Sequence, residues 1–290
     1  MTLLHKHIGK HLTLGLVASA LSAAALPNAR AALIPNNAVD QNYLDLGASF
    51  AGKVLALRQV APNGQWGWAS VTYINEKYAI TSAHLVKNTL AAGYSFQVGT
   101  GTDVYNPTTL TNIKNVLIHP NYSGDGKNSP DIAILEFDTP MAGTAAQIGT
   151  VSNDQKTTSA GFGFTAKPDG SISFADGHLR AWEANTINSS VWHPSLYQST
   201  SFGISMEGIT LNGKSLNGDS GGGVFFGNTL VGLNTGQIGN GDTTGASVFL
   251  SLGKGEVAEW ISTNTVIPEP TIIGMAAIGS LALLRRRRLS

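Results

Sequence analysis

The chain contains no cysteine among its 290 residues. Disulfides, a thiolate nucleophile and a thiolate metal centre are therefore excluded. Charge is also scarce: Lys and Arg total 18, Asp and Glu total 18, and together they make up 12% of the chain. A zero net charge without a basic stripe gives no electrostatic footprint for nucleic acid. No two histidines stand at a metal-ligand spacing, so neither a metal nor any other cofactor is implied. What remains is 42% hydrophobic, enough for a substantial core, with 34 glycines. Abundant glycine, threonine, serine and asparagine point to many turns and hence to β structure.

Both ends read as targeting segments rather than as fold. In residues 1–31, Lys6 and Lys10 with three histidines precede an apolar run at 12–26 and the small-x-small triplet Ala29-Arg30-Ala31. That is the pattern of a secretory signal peptide. The other end places Pro268-Glu269-Pro270 before an apolar stretch at 271–284 and four arginines, 285–288. Fourteen apolar residues are fewer than the roughly 20 of a spanning helix, and the arginines would hold that end at the cytoplasmic face. This tail (265–290) resembles the PEP-CTERM sorting signal of Gram-negative bacteria. The resemblance implies export, transient retention at the inner membrane, processing by an exosortase-type partner, and release to the cell surface, matrix or medium.

Between the tags, 32–264 reads as one domain of two halves meeting near 150. Strands are expected at 53–58, 66–74 and 78–81, the last ending in Ser82-Ala83-His84. A histidine at a sheet edge suits a general base. Further strands are expected at 96–98 and 113–118. Asp131 then heads the apolar run 132–135, where an acid is costly to bury unless paired. In the second half, Gly218-Asp219-Ser220-Gly221-Gly222-Gly223 is poor material for helix or strand. Glycines there let the backbone turn sharply, expose the Ser220 hydroxyl, and converge adjacent N–H groups on one point.

Taken in order, Thr81-Ser82-Ala83-His84, the segment 116–122, Asp131 with 132–135, and Gly218-Asp219-Ser220-Gly221 resemble four sequence blocks of the chymotrypsin-like (trypsin-like) serine proteases. Asp131 follows His84 by 47 residues and Ser220 follows Asp131 by 89, a spacing that suits acid and base on one barrel and nucleophile on the next. The resemblance, spanning roughly 50–264, implies an all-β fold of two six-stranded antiparallel barrels with a C-terminal helix. It implies Ser220 as nucleophile, His84 as general base, Asp131 as its orienting acid, and the N–H groups of Gly218 and Ser220 as an oxyanion hole. In the family the acid before the nucleophile, here Asp219, pairs with a newly made N-terminal amine. No clear activation sequence precedes residue 54, so a neighbouring basic side chain is an equal alternative; Arg30, beside the cleavage site, is one candidate for activation. Lys214 falls at the family's selectivity position, although 212–215 also reads as an exposed turn. Asn234 stands where the family has a serine that bonds the triad acid.

The expected activity is therefore a secreted serine endopeptidase acting on polypeptides, as a monomer. A protease-like binding or adhesion module without turnover is the alternative, and an esterase using the same three residues is a third.

Overall fold

The computed structural model describes residues 32–170, 173–174, 176–188, 194–199, 208–238 and 245–266. Residues 1–31, which read as a leader, the apolar and basic parts of the C-terminal tail, and His193 lie outside them. Among the described residues no helix is long and apolar enough to cross a membrane.

Helix α1 (Asp40–Ala48) opens the fold. Strands β1 (Val54–Val60), β2 (Trp66–Asn75) and β3 (Tyr78–Thr81) follow. Helix α2 (Ala83–Ala91) then leads to β4 (Ser95–Gly99), β5 (Leu110–Ile118) and β6 (Ala133–Phe137). These six strands close into an antiparallel barrel in the order β1-β2-β3-β6-β5-β4. Next come β7 (Lys156–Gly161), a small pair of β8 (Thr165–Ala166) with β9 (Ser173–Phe174), and β10 (Arg180–Asn188). The remaining strands are β11 (Leu196–Ser199), β12 (Gly223–Phe226), β13 (Thr229–Ile238) and β14 (Ala246–Ser251). A second closed barrel, β10-β11-β14-β13-β12-β7, is made from these, and α3 (Gly255–Asn264) ends the fold. The two expected barrels and the C-terminal helix are both present.

Strand alternation explains how each barrel fills. Along β1, Leu55 and Leu57 point into the first barrel with Val71, Val98 and Leu135. Val54 and Ala56, on the opposite face, join the core shared with Ile134, Phe225 and Leu233. Both faces of β1 are thus buried, which accounts for its nearly continuous apolar run. Each such side chain contributes about 1.5–3 kcal/mol through burial.

Two features depart from the sequence reading. His84 does not end a strand: it lies in the first turn of α2, because the chain turns helical once Ser82 has left β3. Helix α1, not anticipated at all, packs on β10. Its Gly47 sits so close that a Cβ would stand 2.4 Å from the Leu179 carbonyl oxygen. Buried Arg180 ties it down through both oxygens of Asp40 at 2.8 Å while also gripping Asp176. Just upstream, Leu33 exchanges main-chain bonds with Lys214, its N–H donating at 2.8 Å and its carbonyl accepting at 3.2 Å.

Candidate active site

The first barrel contributes an acid and an imidazole. Asp131 lies just before β6 with its side chain 2% exposed, whereas that of His84 is 37% exposed. The acid is sealed and the ring is open to the seam between the barrels. Asp131 Oδ2 stands 2.6 Å from His84 Nδ1, and Oδ1 accepts from the His84 main-chain N–H at 2.8 Å. That N–H belongs to the first turn of α2, where helix donors lack internal partners. Asp131 thereby caps α2 from outside it. Ser82 occupies the N-cap position yet does not cap. Its hydroxyl instead donates to the Asn234 carbonyl at 2.9 Å, linking the first barrel to β13 of the second.

The second barrel contributes the glycine loop, which is fastened to one face of β2. Ser70 N–H donates to the Ser220 carbonyl at 3.2 Å. The Ser70 hydroxyl donates to the Gly218 carbonyl at 2.9 Å and accepts from Phe162 N–H at 2.8 Å. Thr72 reaches the Gly221 carbonyl at 2.9 Å. Gly218 and Gly221 have φ of +94° and +86°, conformations that favour glycine. A Cβ on Gly221 would lie 2.1 Å from the Ser70 carbonyl oxygen and 2.2 Å from Thr81 Oγ1. The loop is thus pressed against the end of β3, three residues ahead of His84. No hydrogen bond joins the His84 ring to the Ser220 hydroxyl among the described residues.

The main chain of this loop has a distinctive pattern of donors. Asp219, Gly221 and Gly222 each donate their N–H to a protein carbonyl, from Leu216, Asn234 and Asp219 respectively. Among the described residues the N–H groups of Gly218 and Ser220 have no such acceptor. These two donors alternate with the bonded ones around Ser220.

Asp219 is fully buried. Its Oδ1 accepts from Gly163 N–H at 3.1 Å and its Oδ2 from Leu216 N–H at 2.9 Å. Burial pushes its pKa up to about 8, opposed by those two amides and by the charge of Arg180. Main-chain amides therefore hold it, rather than a basic side chain in contact. A Cβ on Gly161 would come within 2.3 Å of its Oδ1, so the 160–163 backbone and the loop fit closely only without side chains there.

Lys214 is fully buried, as are Gly213 and Ser215. The exposed-turn reading of 212–215 is overturned, because pairing with Leu33 covers the segment. Asn234 is buried with neither side-chain amide atom hydrogen-bonded; its main chain, bonded to Ser82, Gly221 and Gly222, does the linking. His119 is buried against Trp260, ring centres 4.9 Å apart, and His178 lies beside α1 and bridges to Asp103. Sequence reasoning missed Ser70, Ser82 and Gly163 as supports of the site. Only Ser82, adjacent to the histidine block, carried any local signal.

Two closed six-stranded barrels, with an acid–imidazole pair on one and a glycine-set serine loop on the other, have the architecture of chymotrypsin-like serine proteases. The trypsin family model matches residues 59–261, and the chain belongs to the trypsin family. Over 68 residues it is 32% identical to trypsin zeta of Drosophila erecta, covering 23% of this chain and 24% of that protein. Trypsin zeta of Drosophila melanogaster is 34% identical over 67 residues, with the same coverage. The matched stretch thus spans about a quarter of those relatives. Among solved structures, HL collagenase superposes with a TM-score of 0.58 at 16% identity, over 76% of this chain and 96% of that one. A structure of GrC does so at 0.58 and 17%, over 74% and 95%. These two likenesses bear on the fold alone.

Proposed function

We propose that the protein is an exported serine endopeptidase that cleaves polypeptides through an acyl-enzyme. The observation carrying this reading is the pair of N–H groups at Gly218 and Ser220 that lack a main-chain acceptor among the described residues, beside bonded amides at Asp219, Gly221 and Gly222. Such donors would receive the oxyanion of a tetrahedral intermediate, and losing one typically costs about 3 kcal/mol of transition-state stabilisation. Ser220 attacks the substrate carbonyl while His84 Nε2 takes its proton. Asp131, accepting from Nδ1–H, keeps Nε2 free as the acceptor and stabilises the imidazolium. The contact between His84 and Ser220 tightens when substrate enters, as is common for catalytic hydrogen bonds that are loose in free enzymes. Collapse of the intermediate then returns the proton from His84 to the leaving amine, and water releases the acyl group by the reverse route.

Lys214 and Asn234 would help form the specificity pocket. The leader at 1–31 directs export, and the tail at 265–290 acts as the sorting signal handled by an exosortase-type partner. Fluorophosphonate labelling of the protein and of Ser220→Ala, with a casein digest alongside, tests the activity. Labelling and cleavage by the parent alone are expected; a folded parent that does neither would overturn the enzyme reading.

A further inference from the structure

The β2 face that fastens the nucleophile loop continues beyond it as an aromatic shelf. Side chains alternate along a strand, so Trp66, Trp68, Ser70 and Thr72 share one face, opposite Val71 and Tyr73, which fill the first barrel. Thr72 holds the Gly221 end of the loop and Ser70 the Gly218 end. Past Gly218, on the side away from β13, come Trp68 and then Trp66. Phe164 stacks on Trp68, with ring centres 5.8 Å apart and planes 7° apart. Tyr105 packs against Trp68 and Trp66 at 5.3 and 5.6 Å and is 49% exposed. Trp68 is fixed in place by its indole N–H, which donates to the Phe162 carbonyl at 2.8 Å.

At the far end, the Arg58 guanidinium lies over the Trp66 ring, 3.8 Å from its centre. Its Nε is buried without a hydrogen-bond partner, and among the described residues no carboxylate pairs with it. The acid beside Tyr105, Asp103, is bonded within its own turn to Tyr105 N–H and the Asn106 side chain. A rigid aromatic surface ending in an unpaired cation is complementary to a ring followed by an acid.

We infer that this shelf is an extended substrate subsite, binding a polypeptide segment with an aromatic side chain on Trp68 and an acidic one at Arg58. This deepens the endopeptidase reading and rests on it for the identity of the occupant. Strand geometry puts Trp68 about 7 Å and Trp66 about 14 Å along β2 from Ser70. An extended substrate advances about 3.3–3.6 Å per residue. The ring therefore belongs about two residues from the scissile bond, and the acid about two residues further out.

The test uses the Ser220→Ala protein, which cannot turn over, and two fluorescent undecapeptides, one containing Trp-Gly-Asp and its twin Trp-Gly-Asn. Fluorescence anisotropy should show the acidic peptide binding about fivefold more tightly, a modest gain in keeping with a partly exposed charge pair. Adding Arg58→Ala should abolish that ratio, and Arg58→Lys should restore part of it. Each variant is compared at an unchanged melting temperature. Equal affinities for the twins, or a preference that survives Arg58→Ala, would overturn the subsite. Fluorophosphonate labelling of the protein with Ser220 intact reads the hydrolase separately. A labelled protein that ignores the acid loses only the shelf. An unlabelled protein that still prefers the acidic peptide keeps the shelf and loses the hydrolase.

Discussion

Replacing Asp219 by Asn should remove a pH dependence of stability that the fold imposes on the native chain. The side chain is fully buried and, with its pKa near 8, stays protonated in the native state through neutrality. In the unfolded chain an aspartate ionises near 4. Between these values the unfolded state has lost a proton that the native state retains, so native stability falls as pH rises. The slope is about 1.4 kcal/mol per pH unit for one proton, flattening above about 8 when both states are ionised. The contribution is fully present below about pH 4. Groups with lowered pKa values, such as Asp176 and Glu183, act in the other direction and at lower pH, where carboxylates regain protons. All other ionisable groups are common to both proteins. Urea denaturation of the native chain and Asp219→Asn at pH 5, 6 and 7 therefore isolates the residue. The stability difference, native minus variant, should fall by about 2.7 kcal/mol over those two units. Asn keeps one acceptor and loses the other, so a constant offset of about 1–3 kcal/mol is expected from the stranded amide. A difference that stays level from pH 5 to pH 7 would refute the protonated, amide-held carboxyl.

Asp131→Asn should slow fluorophosphonate labelling by about 10³–10⁴-fold, measured as a labelling rate at pH 7. The amide would turn the imidazole to the tautomer whose Nε2 already carries a proton. Arg180→Met should lower stability by about 3 kcal/mol, because two carboxylates lose a buried partner. The loss should appear first as thermolysin cleavage within 40–48, at Leu44 or Leu46, since the bonds to Asp40 are what pin α1 to β10.

The barrels were legible because the triad blocks and the short apolar runs of β1, β2, β3 and β6 are local. A few consecutive residues carry each signal: the apolar runs point to strands, and the resemblance of the four blocks implies the barrels. The position of His84 was not, since helix α2 begins in the residues that look like the end of a strand. Nothing near Ser82 says that its hydroxyl will leave its own helix for a carbonyl 152 residues away. Lys214 looked like an exposed turn because a glycine, an asparagine and a lysine are turn material. Its burial depends on Leu33, a residue at the opposite end of the domain. The support given by Ser70 was hidden for a similar reason, as three partners from the second barrel converge on one small residue. Long-range main-chain bonds leave no periodicity in the sequence, and that is where the reading fell short.

The main-chain exchange between Leu33 and Lys214 also sets an order of assembly. The six strands of the first barrel are contiguous in the chain, so that barrel can close as soon as β6 has been synthesised. The second barrel closes among strands of 156–251, and the segment at Lys214 must then be joined by one made 181 residues earlier. Contacts of such separation are slow to form because loop closure must precede them. The loop around Ser220, just downstream of Lys214 and clamped by β2, is therefore among the last parts to take shape. That loop would lack part of its support until the start of the domain had been stitched in.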